Sequence, residues 1–298
     1  MKRVNVSNFD FEQLDELIPY IRQQKCILFI GAGLSQIAGG YDWDLLINRL
    51  KSITEKLAKI NGGFQEVPKL KREDIIEYCF EKLRSCGQEK EFEGVVMESI
   101  LPAPAFENKY SSLIRKIERI NPFPKVILTT NIDDNLERVK IAGLDFSDAY
   151  YKIPELTISN LRKGGIFHIH GFRNNLEDAI LRKSQYLKRY RNSDFRKFLK
   201  QVFINYRILF IGSSLEDSIS NILQDWRNSV PNEFRHFALL PKDEISHYQL
   251  QEDISLKLHK VQLINYGPKE IFSDFLTGWI DRNFSKKLKI EKESAHAQ

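Results

Sequence analysis

The sequence predicts an α/β protein, with a Rossmann-like, mostly parallel sheet covered by helices on both faces. Short, continuously apolar runs alternate with longer segments in which apolar residues recur at helical spacing. The first apolar run covers residues 26–30, and further strands are expected at 125–130, 165–171, 207–214, 235–239 and 260–264. Four of these strands end in glycine or small polar residues, at the edge where open parallel sheets bind their ligands.

Helices are expected between the strands, from periodic apolar residues and from the usual end signals. They are predicted at residues 9–24, 43–57, 108–120, 184–206, 216–227 and 269–282. A charged helical stretch at about 69–101 is assigned to a small helical insertion, residues 61–106, that lies on the sheet. We predict that the whole chain, residues 1–298, forms a single domain around this sheet.

Composition excludes several classes of protein. The chain has 298 residues with 45 Lys plus Arg and 40 Asp plus Glu, and this net charge of +5 is too small to indicate nucleic acid. Its three cysteines form no CxxC pair, which favours a reducing cytosol and argues against structural zinc. No apolar run reaches the length of a membrane span, and no signal-peptide core follows the N-terminus. We therefore expect a cytoplasmic protein with no membrane contact and no bound metal.

The stretch from Cys26 to Ser35 joins a buried strand to a glycine turn. Gly31 and Gly33 have no Cβ, so the backbone can approach a ligand closely, and Ser35 adds a hydroxyl near the start of a helix. Such a turn suits a pyrophosphate, because free N–H groups and the helix dipole both favour an anion. The third glycine of the dinucleotide fingerprint is replaced by Gln36, and no phosphate-loop lysine follows. A simple tight turn after a core strand is the alternative.

Polar residues also follow the later strands. Asn131 and Asp133 come after the second strand, His170-Gly171 ends the third, and residues 212–214 end the fourth. Because the carboxyl ends of parallel strands meet at one edge, these groups should converge on one ligand. Asn131 and Asp133 have an alternative role, as caps of the helix that follows.

Taken together, these motifs resemble those of the sirtuin superfamily. The shared stretches are Gly31-Ala32-Gly33-Leu34-Ser35, Thr129-Thr130-Asn131-Ile132-Asp133, His170-Gly171 and Gly212-Ser213-Ser214-Leu215. The likeness is greatest to the sirtuin-like domains of bacterial antiphage systems, which hydrolyse NAD. Two features differ from the protein deacylases of the superfamily: no cysteine follows Cys86, where deacylases have a zinc ribbon, and Gly40-Tyr41-Asp42-Trp43 replaces their Pro-Asp-Phe-Arg element. The defence branch has Gly-x-Pro-x-Trp there, with Tyr41 standing in place of its proline.

This resemblance implies an NAD glycohydrolase that depletes NAD in abortive infection. Asn131 would orient a water or a ribose hydroxyl, Asp133 would bind the carboxamide or support the cation, and His170, titrating near neutrality, would be the general base. The residues expected to contact NAD are Gly31, Ala32, Gly33, Ser35, Thr130, Gly212, Ser213 and Ser214. NAD is then the substrate, and no metal is expected.

Other functions and partners remain open in the sequence. A protein deacylase and a non-catalytic subunit that senses NAD or ADP-ribose are the two alternatives. Control is expected from self-assembly or from a partner chain, such as a ring-forming ATPase or an Argonaute-like protein. His168 and His170 form an HxH pair that can bind metal, although a packed, hydrogen-bonded His168 is favoured. The basic run at 182–191 is read as a solvated helix face rather than a nucleic-acid contact.

Overall fold

The computed structural model of the chain describes residues 11–40, 43–60, 67, 70–100, 104–120, 126–139, 149–213, 235–242 and 261–295. Within these ranges seven strands form a parallel sheet in the order β3-β4-β2-β1-β5-β6-β7. The strands are β1 (Cys26–Ile30), β2 (Val126–Thr129), β3 (Ala149–Tyr150), β4 (Gly165–His168), β5 (Arg207–Ile211), β6 (His236–Leu240) and β7 (Val261–Asn265).

Helices lie before, between and after these strands. Those in the described ranges are α1 (Glu12–Asp15), α2 (Ile18–Arg22), α3 (Ala32–Ile37), α4 (Trp43–Ile60), α5 (Arg72–Ser85), α6 (Glu89–Ile100), α7 (Pro104–Glu118), α8 (Asn135–Arg138), α9 (Ile158–Lys163), α10 (Lys183–Arg191), α11 (Ser193–Asn205) and α12 (Phe272–Ala295). Short 3-10 helices cover Ile153–Glu155 and Lys269–Ile271.

The order of the strands reverses beside β1. From β1 the chain passes on one side to β2, then to the edge strand β3 and back to β4 between them, and finally crosses to pair β5 against the other edge of β1. The loops after β1 and β5 therefore leave toward opposite sides, which opens a crevice at their carboxyl ends. This arrangement confirms the predicted Rossmann-like fold and puts the two glycine turns at the crevice.

Side chains of the central strands alternate between two buried layers. In β1, Cys26, Leu28 and Ile30 belong to the layer formed with α7 and α12, whereas Ile27 and Phe29 belong to the layer formed with α9 and α11. A strand that is buried on both faces has no polar side, so its sequence is continuously apolar. The helices on both faces thus explain the apolar runs.

A third apolar cluster joins α4, α5 and α6. Ile132, from the loop after β2, also belongs to it, as do Ala179 and Leu181 from the segment before α10. The helical layer is thereby attached to loops at the carboxyl edge of the sheet. It includes α4, which precedes the predicted insertion, and the insertion boundaries at 61–106 stay a prediction.

Three predicted helices are each divided in two. Pro19, at the start of α2, lacks an N–H and its ring conflicts with the carbonyl four residues earlier, so α1 ends at Asp15. Gly87, with φ of +69°, separates α5 from α6. Asn192 separates α10 from α11, because its side chain accepts hydrogen bonds from the N–H groups of Asp194 and Phe195.

Two more differences concern single elements. The edge strand β3 was not predicted, since its two residues are too few to show any alternation. The helix predicted at 216–227 lies outside the described residues. None of the helices in the described part of the chain has the length and apolar character needed to cross a membrane.

Candidate functional site

The two glycine turns at the crevice pack backbone against backbone. The Gly31 N–H donates to the Ile211 carbonyl at 3.0 Å, and the Gly33 N–H donates to the Gly212 carbonyl at 2.7 Å. A Cβ on Gly31 would lie 2.5 Å from the Gly212 oxygen, and one on Gly212, whose φ is +66°, would collide with the Leu34 nitrogen. Glycine is therefore required here for contact between β1 and β5 as well as for any approach of a ligand.

These contacts change what the first glycine turn offers to a phosphate. The N–H groups of Ala32 and Gly33 are the two expected to reach the anion, but the Gly33 N–H already donates to the Gly212 carbonyl. Among the described residues, the Ala32 N–H has no such partner, and it lies at the first position of α3. Ala32 is therefore the backbone donor that remains available in this turn.

The loop after β2 is fastened to β1 through a threonine. Thr129 Oγ1 donates to the Ile30 carbonyl at 2.7 Å and accepts from the Asn131 N–H at 3.0 Å. The buried Asn131 side chain does not cap α8, and its Nδ2 has no hydrogen-bond partner in the described part of the protein. Asp133 instead accepts from the Asn135 N–H at 3.0 Å, at the start of α8. The capping alternative thus applies to Asp133 and not to Asn131.

Asp133 titrates much closer to neutrality than an ordinary aspartate. Burial raises its pKa from 3.8 to about 6, and the nearby carboxylates of Glu137 and Asp134 act in the same direction. The Asn135 N–H and the charge of His168 oppose the rise without cancelling it. A small change of environment therefore decides whether Asp133 carries a charge near pH 6.

His170 is buried and enclosed by aromatic residues of α10. Its Nε2 is hydrogen-bonded to the Tyr190 hydroxyl at 2.6 Å, and the Tyr186 and Tyr190 rings both meet the imidazole edge to face. Burial, helped by the charge of Arg189, lowers the pKa of His170 to about 3. The expectation of a histidine that titrates near neutrality is therefore wrong: His170 is a neutral group and a weak base in this arrangement.

His168 is a packed histidine with both ring nitrogens engaged. Nδ1 donates to the Asn131 carbonyl at 2.8 Å, and Nε2 lies 2.6 Å from Glu137 Oε1. Burial is the largest influence and would lower the pKa of His168, but the hydrogen bond and charge of Glu137, the Asn131 carbonyl and the charge of Asp133 together raise it. The described residues contain no group of three or more His, Cys, Asp or Glu side chains suited to a metal. The packed interpretation of His168 fits this geometry.

Several buried polar atoms near the crevice have no hydrogen-bond partner. Tyr110 lies near Asp133, Glu137 and Ser35: burial and the charges of the two carboxylates raise the pKa of its hydroxyl, and a hydrogen bond with the Ser35 side chain lowers it. Apart from the Ser35 and Tyr110 hydroxyls, which pair with each other, three buried side-chain atoms of the loop after β2 and of α8 have no partner in the described ranges, namely Asn131 Nδ2, Asn135 Oδ1 and Glu137 Oε2. Ser99 Oγ of α6 is a further unpartnered atom in those ranges.

This cluster suits a polar ligand. A buried polar group without a partner costs about 1–3 kcal/mol, so native proteins rarely gather several of them unless a ligand or water completes their hydrogen bonds. Hydroxyls, a carboxamide and a carboxylate can together bind a molecule rich in hydroxyl and phosphate groups. Sequence reasoning found Ser35 and Asn131 but missed Tyr110, Asn135 and Glu137, whose neighbours come from distant segments.

The remaining predicted residues lie around the same edge. Gly212 and the buried Ser213 follow β5, and the half-buried Thr130 follows β2. The segment of His170 lies beside the Asn131 loop, since the Ile169 N–H donates to the Thr129 carbonyl at 3.0 Å. Ser214 and Tyr41 lie outside the described residues.

Helix α10 is docked on the helical layer by its basic side chains. Lys183 pairs with Asp74 of α5 at 2.7 Å, and Arg182 lies over the Phe80 ring at 3.6 Å. Arg189 is buried and donates to the Asp178 carbonyl at 3.0 Å. The run at 182–191 is thus partly engaged in packing, although Lys188 and Arg191 are exposed.

Comparison with known families identifies one match. Residues 125–264 match the family model described as SIR2-like domain. The matched range contains Asn131, Asp133, His170, Gly212 and Ser213, and it begins after the Gly31–Ser35 turn. No curated protein matches the chain significantly. A domain of this family is compatible with the use of NAD, whose polar groups are of the kind that can complete the hydrogen bonds of these atoms.

Proposed function

We propose that this chain, a member of the sirtuin-like superfamily through its SIR2-like domain at residues 125–264, is an NAD glycohydrolase. The observation that carries the proposal is a cluster of buried polar atoms in the loop after β2 and in α8, Asn131 Nδ2, Asn135 Oδ1 and Glu137 Oε2, which have no hydrogen-bond partner in the described part of the protein. NAD presents ribose hydroxyls, a pyrophosphate and a carboxamide, each of which can complete such hydrogen bonds. The fold supports the same position, because the crevice beside β1 and β5 is where Rossmann-like sheets hold dinucleotides.

The chemistry requires little acid catalysis. When the bond between nicotinamide and ribose breaks, its electron pair neutralises the cationic nicotinamide nitrogen, and positive charge develops on the ribose. Water then supplies the new bond to the anomeric carbon, and its proton is released, so that the products are nicotinamide, ADP-ribose and H⁺. The protein has to hold the substrate, orient the water and stabilise the developing cation.

The proposed roles follow from the chemistry of each group. The Asn131 carboxamide can donate and accept at once, so it orients the water or a ribose hydroxyl. Asp133, when ionised, stabilises the positive charge on the ribose. The neutral His170 accepts a hydrogen bond from the water or hydroxyl, and it becomes a stronger base once Tyr190 is displaced and the negative pyrophosphate lies nearby.

Protein deacylation has weaker support. The zinc ribbon of deacylases requires two CxxC pairs, whereas the cysteines here are Cys26 in β1, Cys79 in α5 and Cys86 just after α5. A sensing subunit would use the same polar cluster without turnover. The hydrolase is preferred because Asn131 carries an unsatisfied amide beside a residue, Asp133, that ionises near neutral pH.

One assay separates the three functions. The purified chain is incubated with NAD, with and without an acetylated peptide, and free nicotinamide is measured beside a His170→Ala control. We expect nicotinamide without peptide, and a loss of about a hundred- to ten-thousand-fold in the variant. Nicotinamide released only with peptide would indicate a deacylase, and NAD binding without turnover would indicate a sensor.

The biological role is a further part of the proposal and rests on the resemblance to defence-system domains. An NAD glycohydrolase that acted constantly would harm its own cell, so we propose that activity is triggered during phage infection. Control would come from self-assembly or from a partner, such as a ring-forming ATPase or an Argonaute-like chain. Measuring cellular NAD before and after infection, with wild type and His170→Ala, tests this role.

A further inference from the structure

The loop that carries Asn131 and Asp133 is held from behind by His168. The Asn131 carbonyl accepts from His168 Nδ1 at 2.8 Å, and a carbonyl can only accept, so Nδ1 carries a proton. His168 is fully buried and both of its nitrogens are occupied within the protein. It therefore acts on the site through the loop and does not touch a substrate.

Glu137 completes this support from α8. Its Oε1 lies 2.6 Å from His168 Nε2, a distance typical of a charge-assisted bond between imidazolium and carboxylate. His168 belongs to β4, Asn131 lies at the start of the loop, and Glu137 lies in α8, which follows the loop directly. The two hydrogen bonds of His168 therefore attach both ends of the loop to β4. The Arg173 N–H adds a third attachment, to the Ile132 carbonyl at 2.7 Å.

We propose that His168 and Glu137 form a positioning pair, which fixes the Asn131 amide and places a positive charge beside Asp133. This inference rests on the proposed function for its catalytic consequence. Among the described residues, other charged or ionisable groups close to the loop are Asp134, which is paired with Arg173 at 2.9 Å and with Arg138 at 3.1 Å, and Tyr110 of α7. His168 is the one cation among the groups that shift the ionisation of Asp133. The pair therefore controls both the geometry and the charge of the loop.

Two substitutions separate geometry from charge. In His168→Gln a shorter, neutral side chain replaces the ring, which frees the loop from one or both of its anchors. A misplacement of about 1 Å costs roughly a hundredfold in rate, so kcat should fall by about that factor while KM stays within about threefold. Glu137→Gln retains a hydrogen-bonding group of the same shape but removes the carboxylate, which directly raises the pKa of Asp133 and also keeps His168 charged. Because the charge of His168 affects Asp133 more than that of Glu137 does, losing both should raise the pKa of Asp133 slightly and move the low-pH loss of activity to higher pH. Glu107→Gln, on the exposed face of α7, is the control.

The kinetic outcomes decide the catalytic part of the proposal. A His168→Gln enzyme with wild-type kcat would overturn it, and so would a rise in KM that accounts for the whole loss. If the pH profile of Glu137→Gln equals that of Glu107→Gln, the proposed charge effect is absent. If His168→Gln fails to fold, Glu137→Gln still tests the pair, because its change is isosteric.

A second measurement does not depend on turnover. Nitrogen-15 NMR should show the second ring proton of His168 retained to a higher pH in wild type than in Glu137→Gln, and the Asn131 side-chain amide should give one sharp pair of signals that broadens in His168→Gln. A wild-type protein that releases no nicotinamide but shows these signals would refute the proposed function and retain the positioning pair. A His168 ring that titrates alike in wild type and Glu137→Gln, or Asn131 signals unchanged by His168→Gln, would refute the pair.

Discussion

The Tyr190 hydroxyl lies 2.6 Å from Nε2 of His170, so the candidate base is hydrogen-bonded by a residue of its own chain. The contact comes from α10, which is itself attached to α5 through Lys183 and Asp74. Any substrate hydroxyl that uses the same nitrogen must first displace Tyr190. The helical layer and His170 are thereby connected through one helix.

Removing this hydroxyl should make His170 easier to reach. We expect Tyr190→Phe to raise the rate of NAD cleavage by up to about fivefold, the factor that corresponds to a net hydrogen bond of about 1 kcal/mol. Tyr186→Phe is the matched control, because its ring also contacts His170 but its hydroxyl is not bonded to Nε2. Steady-state kinetics on both variants provide the measurement. A rate more than tenfold lower in Tyr190→Phe alone would show that Tyr190 assists the base.

Asn131 should be important for turnover and of little importance for stability. Since Nδ2 has no partner in the described structure, Asn131→Ala should melt close to wild type, and Asn131→Asp within a few degrees of it. Both should release little nicotinamide, because alanine removes the amide and aspartate replaces its donor with a charge beside the ribose. Thermal melts and nicotinamide assays on the same preparations test this. A stable, fully active Asn131→Asp protein would remove Asn131 from the mechanism.

The pH dependence of activity should follow Asp133. Its pKa of about 6 means that the carboxylate becomes protonated as the pH falls through 6, so kcat/KM should decline there. The pKa of His170, about 3, predicts no contribution from that residue in the same range. In Asp133→Asn the rate should be lower by about a hundredfold and nearly constant between about pH 5 and 7. A decline near pH 6 that persists in this variant would assign it to another group.

The contact between the two glycine turns should make a large contribution to stability. In Gly212→Ala the new Cβ meets the Leu34 nitrogen and φ is +66°, so unfolding should become easier by about 3 kcal/mol or more. Gly87→Ala is the matched control, because φ is +69° but nothing lies within 4 Å of the new Cβ. In Gly87→Ala the free energy of unfolding should decrease by about 1–2 kcal/mol, because of backbone strain alone. Urea unfolding of both variants gives the comparison, and equal losses would contradict the packing argument.

Acid should destabilise the fold partly through His236. Burial and then the charge of Arg207 lower its pKa to about 3, whereas the unfolded chain binds that proton near pH 6.5. Between these values the unfolded state binds more protons than the folded state. The free energy of unfolding therefore decreases by about 1.4 kcal/mol for each unit by which the pH is lowered, as the contribution of this residue. Above pH 6.5 both states are neutral and the effect disappears.

Replacing His236 with Asn tests that assignment. In wild type, His236 Nδ1 accepts a hydrogen bond from the Ile208 N–H at 3.2 Å. The asparagine side chain can accept the same bond through its oxygen, but it cannot take up a proton. The stability of the variant between pH 6.5 and 5 should therefore depend less steeply on pH than that of wild type, whatever its stability at pH 7.5. Identical slopes in urea titrations would exclude His236 as a source of the acid sensitivity.

Local sequence determined the scaffold of this protein. Apolar runs such as residues 26–30 predicted strands buried on both faces, and the small or polar residues after them predicted the edge where a ligand binds. Sequence also identified Asn131 and His170 as candidates, because their motifs are contiguous. The divided helices show where such reasoning loses accuracy, since the backbone effects of Pro19 and Asn192 end a helix even where the periodic apolar pattern continues.

Only the tertiary structure decided how the candidate groups behave. Glu137 meets His168 across 31 residues of sequence, Tyr190 meets His170 across 20, and Gly33 meets Gly212 from the turn after β5. Burial and the charge of Arg189 lower the pKa of His170, whereas Glu137 helps to raise that of His168, although the two histidines stand two residues apart. Burial and neighbouring charge set ionisation, and both depend on which distant segments pack together. Sequence thus determined which residues reach the edge of the sheet, and packing determined their protonation and their partners.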